Sequence, residues 1–330
     1  MKPGLFDQYR KAEQDSTIVA LTLLLFVTGL LILMGGAESL VRGSSALALR
    51  LGVTPLVVGL TVVAFGTSSP ELAVSIESAL KGSSSIALGN VIGSNVANIG
   101  LILGVTAMIR PMHVQPSLLR EQIPLMIVMS FIIWFMATDG RIGFFDGCIL
   151  TLALLGFLYH SYRISKDEDE NDADLPEDAM TLKDKTWFCI LLIVVGLGGL
   201  IGGGMLFVNS AVEIARLFDV DEAIIGLTIV AIGTSMPELA TSVVAAIRHH
   251  SDIAIGNIVG SNIFNLLAIL GIASLISPLS GAGINHSDYL VMIAFAVILL
   301  PMAWSGRTLS RPEGTVLLLG YLGYMAYIWP

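Results

Sequence analysis

Residues 64–73 read AFGTSSPELA, inside an apolar run long enough to cross a membrane. Two of these residues are costly there. Pro70 has no N–H, and its ring clashes with the carbonyl four residues back, that of Gly66. An ionised glutamate such as Glu71 costs on the order of 3 kcal/mol or more at the bilayer centre. The stretch then recurs: residues 231–240 read AIGTSMPELA.

The recurrence belongs to a larger one. An offset of 167 pairs Glu71 with Glu238, Gly66 with Gly233, Asn90 with Asn257, Asn98 with Asn265 and Pro111 with Pro278. From residue 59 to residue 111 the alignment needs no gap, and about half of its positions are identical. Hydrophobic segments begin near Thr17, Thr54, Ser84, Glu121 and Ile142, then near Trp187, Asp221, Ser251, Ser287 and Pro312. Five segments per copy is an odd number, so the second copy enters the membrane from the opposite side. The predicted fold is an all-α integral membrane protein of about ten transmembrane helices, arranged as two inverted-topology five-helix repeats with broken helices at the midplane. The predicted divisions are a polar tail over 1–16, a first repeat over 17–163, an acidic linker over 164–186 and a second repeat over 187–330.

Composition agrees. The 330 residues are 55% hydrophobic and 13% charged, against about a quarter charged in soluble domains, and the mean hydropathy is +0.83. The net charge of -9 comes mostly from loops, and no basic patch reads as a nucleic-acid surface. Cys148 and Cys189 stand alone in apolar runs, which excludes a disulfide framework or a thiolate metal site. No short apolar core with a cleavage site follows the first 16 residues. Of the 17 Lys and Arg, 11 fall on the side of the acidic linker. The positive-inside rule then makes the linker cytoplasmic and puts both termini outside a plasma membrane, the inner membrane in a bacterium.

The chemistry follows from helical spacing. Thr67, Glu71 and Ser75 fall at i, i+4 and i+8, a polar stripe repeated by Thr234, Glu238 and Ser242. GNVIGSNVAN over 89–98 places Asn90, Ser94 and Asn98 on one face, and GNIVGSNIFN over 256–265 repeats it. The breaks at Gly66–Pro70 and Gly233–Pro237 are expected to free backbone carbonyls. Carboxylates, amides, hydroxyls and carbonyls are hard oxygen ligands suited to Na⁺ and Ca²⁺. Asn90, Asn95, Asn257 and Asn262 serve equally as ligands or as interhelical hydrogen-bond glue. Glu38–Arg42 and Glu77–Lys81 are four apart and read as surface pairs. Glu213 has no acidic mate and reads with them as structural. The linker over 166–178, KDEDENDADLPED, has acids or amides at EF-hand positions but Asp172 where the loop glycine belongs. It reads as a solvated spacer. None of the five histidines forms a catalytic pair.

GTSSPE with GNVIGSNVAN, and GTSMPE with GNIVGSNIFN, resemble the two alpha-repeats of the sodium/calcium exchanger family of cation/Ca²⁺ antiporters. The resemblance covers both repeats and the ten-helix plan. It implies Ca²⁺ moved against Na⁺ by alternating access, with no cofactor and no obligate protein partner beyond the lipid bilayer. It implies Glu71 and Glu238 as central ligands, helped by Thr67, Ser68, Ser94, Asn98, Thr234, Ser235 and Ser261, with the carbonyls of Ala64 and Ala231. It also implies that the first and sixth helices, 17–50 and 187–218, slide past the other eight. Some relatives carry an aspartate where this chain has Asn265. With Asn98 and Asn265 both neutral the site holds two negative charges, balanced by one Ca²⁺ or two Na⁺, so the Na⁺ stoichiometry stays open. Protons also neutralise carboxylates, which keeps H⁺ as competitor or counter-ion. Ca²⁺/H⁺ or K⁺-linked exchange is the nearest rival. A cation channel would place its ligands in a pore ring, and an intramembrane enzyme would need a base beside Ser68 or Ser235.

Overall fold

The computed structural model describes residues 5–82, 84–164, 186–218, 231–281 and 284–328. Most of the acidic linker, and the expected start of the seventh segment near Asp221, lie outside the described residues. The chain runs α1 (Leu5–Leu51), α2 (Pro55–Thr67), α3 (Ser69–Leu80), α4 (Ser84–Ile109), β1 (Met112–His113), α5 (Leu118–Asp139), β2 (Arg141–Ile142) and α6 (Phe144–Ile164). It continues as α7 (Thr186–Leu217), α8 (Ala231–Gly233), α9 (Met236–Ile247), α10 (Ser251–Ile276), β3 (Leu279–Ser280), α11 (His286–Trp304), β4 (Thr308–Leu309) and α12 (Arg311–Ile328).

Among the described residues, seven helices are long and apolar enough to cross a membrane, or eight if the bent pair α2–α3 is one span. Helices also occupy the remaining two expected positions: α9 has 12 residues, and α12 has 18 with a more polar start. Residues 5–16 continue α1 as helix. The 47 residues of α1 rise about 70 Å, more than twice the 30 Å of a hydrocarbon core.

Burial sorts the helices. The apolar window of α10 is 89% buried and that of α4 is 72% buried, whereas α1, α6 and α7 bury between 22% and 28%. The two helices carrying the GNxxGSN motifs are therefore the centre, and the outermost helices present apolar faces outward, as lipid requires.

The outer helices α1 and α7 pack on each other antiparallel. Gly29 lies against Phe207, Gly36 against Leu200, and Gly43 against Cys189 and Ile193. The approach is backbone to backbone: a Cβ on Gly36 would stand 2.7 Å from the Leu200 nitrogen, and one on Gly203 2.5 Å from the Leu33 nitrogen. Only glycine permits this separation.

Contacts between the halves obey the offset of 167. Met112 pairs with Leu309 in the β1–β4 ribbon, and its mate Leu279 pairs with Ile142, the mate of Leu309, in the β2–β3 ribbon. Gly104 of α4 meets Gly314 of α12, and Gly271 of α10 meets the α6 turn beside Gly147, whose own Cβ would meet the Gly271 carbonyl. Both ribbons and both glycine contacts join one half to the other. The core is thus shared between the halves, with neither half enclosing one of its own.

Candidate cation-binding site

The proline and glutamate of the opening stretch form a helix start. α2 ends at Thr67, Ser68 turns with φ -82° and ψ 5°, and α3 begins at Ser69 with Pro70 in its first turn. There a missing N–H leaves no helix bond unmade. The two helices meet at 46°. Glu71 falls in the first turn of α3, where unpaired N–H groups and the helix dipole favour an anion. Pro237 and Glu238 take the same places in α9 after the turn at Ser235. The break is tighter than the unwinding expected from the sequence, and it divides the predicted stripe. Thr67 ends one helix, while Glu71 and Ser75 lie on the next.

Each glutamate is held by the opposite half. Ser68 Oγ donates to Glu238 Oε1 at 3.0 Å, and Ser235 Oγ donates to Glu71 Oε1 at 3.2 Å. Thr67 also approaches the Glu238 carboxylate, and Thr234 that of Glu71. Both glutamates are 1% exposed. Neither pairs with a Lys, Arg or His among the described residues.

The asparagines frame this pair. Asn90 Nδ2 donates to the Glu71 carbonyl at 3.3 Å and to Ser75 Oγ at 3.1 Å. Asn257 Nδ2 donates likewise to the Glu238 carbonyl at 3.4 Å and to Ser242 Oγ at 3.0 Å. These bonds fix α3 on α4 and α9 on α10. Thr67 Oγ1 adds a bond across the halves, 2.9 Å to Asn257 Oδ1, and lies 3.4 Å from Ser261 Oγ. Ser94 and Ser261 are buried on α4 and α10.

Asn98 and Asn265 each open a π-helical turn, over Asn98–Leu103 and Asn265–Ile269. Such wide turns recur where a helix contributes to a functional site. Here they interrupt the helical ladder at the two amides. Asn98 Nδ2 donates to Asn262 Oδ1 at 2.9 Å, and Asn262 Nδ2 reaches the Asn95 carbonyl and Met126 Sδ. Asn95 instead turns back to the Val91 carbonyl at 2.7 Å, so the symmetry stops at this pair. Met126 on α5 carried no signal in the sequence.

Five oxygens of these residues then remain. Glu71 Oε2, Glu238 Oε2, Asn95 Oδ1, Asn98 Oδ1 and Asn265 Oδ1 are buried and receive no hydrogen bond among the described residues. All but that of Asn95 fall into two offset pairs, and a buried acceptor left without a donor is expensive. The Ala64 carbonyl is not freed as expected. It accepts Ser68 N–H at 3.0 Å and Thr67 Oγ1 at 3.3 Å. Ala231 opens α8, where the Ser235 N–H turns to the Ile232 carbonyl, so the two breaks are not equivalent in their carbonyls. No cluster of three or more His, Cys, Asp or Glu side chains occurs among the described residues. The chemistry of the site is two carboxylates among neutral oxygens.

Sequence reasoning overlooked one contact at the helix ends. Glu38 pairs with Arg42 as predicted, but also with Arg248 of the α9–α10 loop, at 2.7 Å from Nη2 and 2.9 Å from Nε.

A family model described as sodium/calcium exchanger protein matches residues 21–163 and 188–329. The chain belongs to the sodium/calcium exchanger family. Among its relatives, CaxA of Alkalimonas amylolytica is 36% identical over 90% of this chain and 95% of that protein. The sodium/calcium exchanger MaX1 of Methanosarcina acetivorans is 30% identical over 94% of this chain and 99% of that protein. A solved structure of the sodium-calcium exchanger NCX_Mj, soaked with 10 mM Na⁺ and no Ca²⁺, superposes with a TM-score of 0.82. It is 30% identical and covers 94% of this chain and all of that one. This sodium/calcium exchanger family member is accordingly a multi-pass membrane antiporter of the exchanger type, and not an enzyme.

Proposed function

We propose that the chain exchanges Ca²⁺ for Na⁺ by alternating access, with Glu71 and Glu238 as the central ligands. The observation that carries this reading is the pair of undonated buried carboxylate oxygens, Glu71 Oε2 and Glu238 Oε2, one from each half, with the undonated amide oxygens of Asn95, Asn98 and Asn265. Hard cations are what such oxygens bind. Thr67, Ser68, Ser94, Thr234, Ser235 and Ser261 complete the shell, and the Ala231 carbonyl adds a backbone oxygen.

Charge supplies the coupling. Ca²⁺ or two Na⁺ neutralise the two carboxylates, and each excludes the other from the same oxygens. A neutralised site crosses the membrane interior at low cost, whereas bare carboxylates hinder the crossing. The antiparallel α1–α7 pair is the moving part. Its packing supports this role: Leu197 and Val208 of α7 lie where a Cβ on Gly66 or Gly233 would stand, directly on the two helix breaks. The antiparallel relation of α1 to its offset mate α7 also supports ten helices in two inverted five-helix repeats. In this reading the protein lies in the plasma membrane, the inner membrane of a bacterium, with the acidic linker cytoplasmic and the termini outside.

The test is ⁴⁵Ca²⁺ uptake into proteoliposomes loaded with Na⁺, K⁺ or choline at fixed pH. Uptake that requires internal Na⁺ and is lost in Glu71→Gln and Glu238→Gln is the expected result. Equal uptake with Na⁺ and choline overturns Na⁺ coupling, and a pH jump then separates proton exchange from a channel.

A further inference from the structure

A cavity of about 380 Å³ lies at the ends of α4, α9 and α12, lined by Ile109, Arg110, Pro111, Ile247 and Arg311. It is separate from the glutamates: Ile247 is nine residues along α9 from Glu238, about 13 Å of helix rise. Arg110 leaves the end of α4 in extended backbone, Ile247 closes α9, and Arg311 opens α12. The cavity therefore sits where three helices reach the membrane surface.

Neither guanidinium meets a carboxylate among the described residues. The acids of the adjoining turns meet neutral donors: Glu313 accepts Ser310 N–H and Oγ at 2.7 Å each, and Asp252 accepts Gln115 Nε2 at 2.6 Å. Arg110 Nη2 donates instead to His249 Nδ1 at 2.5 Å, which fixes that ring nitrogen as an unprotonated acceptor. His249 holds this position with φ +66°, a left-handed conformation uncommon outside glycine. Strain of that kind persists where surrounding contacts hold it. Beside the two cations, Ile109 and Ile247 are 43% and 50% exposed.

We propose that this cavity binds a phosphate ester, supplied by the headgroup of an acidic phospholipid. The guanidinium fork matches phosphate oxygens in pairs, and basic pockets between membrane helices hold lipid headgroups. A free phosphate would use only the arginines. A phospholipid uses the arginines through its phosphate and the two isoleucines through its glycerol and upper acyl chains. His249 is the positioning residue that aims Arg110.

The experiment is thermal unfolding of the detergent-purified full chain, titrated with short-chain phosphatidylglycerol, phosphatidylcholine or inorganic phosphate. The wild type, the Arg110→Gln/Arg311→Gln pair and an Arg141→Gln control are compared. Phosphatidylglycerol is expected to raise the wild-type and control Tm saturably, by about 3 °C more than phosphatidylcholine, and the double variant loses most of that difference. If inorganic phosphate alone reproduces the shift, the phosphate chemistry stands and the source is soluble. No shift in wild type, or an equal shift in the double variant, overturns the proposal. If the double variant starts from a lowered Tm, the two single variants decide, because each must weaken the saturable response.

Discussion

Replacing Glu71 by Gln should invert an order of stability. Glutamine keeps an oxygen to accept the Ser235 hydroxyl, 3.2 Å away in the wild type. It replaces Oε2, which has no donor, by an NH₂ whose hydrogens face the cation. Without ligand, removing an ionised group from the membrane interior relieves on the order of 3 kcal/mol. Against this, the Ser235 bond loses its charged acceptor and about half of its 1.5–3 kcal/mol. The ligand-free variant is thus the more stable by roughly 1–2 kcal/mol, a Tm rise of about 2–6 °C. With Ca²⁺ at about 100 times its Kd the wild type gains about 2.7 kcal/mol, and the variant gains nothing. Melting curves in chelator and in Ca²⁺ should therefore cross: variant above wild type in chelator, below it in Ca²⁺. Glu238→Gln should do the same, since Ser68 holds Glu238 as Ser235 holds Glu71. A variant less stable in both buffers would make the glutamate structural. An equal Ca²⁺ shift in both proteins would refute its role as a ligand.

Three further outcomes are expected. Asn265→Asp puts a third charge beside an oxygen that now has no donor, so the Na⁺ dependence of ⁴⁵Ca²⁺ uptake should steepen; an unchanged Hill slope would place Asn265 outside the ion shell. Gly203→Ala drives a Cβ to 2.5 Å from the Leu33 nitrogen, whereas Gly202→Ala meets nothing within 4 Å. The first should melt below the second by about 1–3 kcal/mol of overpacking, and equal melting would disprove the close α1–α7 contact. Glu38→Gln removes a half-exposed pair between α1 and the α9–α10 loop, which as a surface pair contributes about 1 kcal/mol or less. Tm should barely change while turnover rises by up to about fivefold as α1 leaves this position more readily; a large drop in Tm would mean the pair holds the fold.

Much of the candidate site's geometry was legible because duplication wrote it twice. A lone Pro-Glu in an apolar run is ambiguous, but Glu71 and Glu238 at a constant offset carry flanking asparagines and serines with them. The parts that were not legible are those that periodicity cannot encode. The π-turns opening at Asn98 and Asn265 leave the hydrophobic pattern unchanged, so nothing in the residues marks the extra backbone width. The crossed Ser–Glu bonds depend on how two bent helices face one another, which spacing along either does not specify. Two-residue strands are too short to alternate, so the ribbons at Met112 and Ile142 gave no sign. Glu38 satisfied a local rule with Arg42, and that concealed its second partner 210 residues away. The family resemblance implied a free Ala64 carbonyl, yet the Ser68 N–H and the Thr67 hydroxyl take it before the helix restarts at Ser69.

The crossed bonds also constrain how the protein is made. Ser235 lies 164 residues after Glu71, an interval of about 10–30 s at ordinary rates of synthesis. The β1 strand waits still longer for β4. During that time the first half is in the bilayer with its glutamate lacking the hydroxyl that will hold it, and with an unpartnered strand at its edge. Assembly of the candidate site is therefore one of the last events of biogenesis. A ribosome that stalls before residue 235 leaves behind a segment with no finished interior, one that the quality-control proteases of the membrane can distinguish from the complete protein.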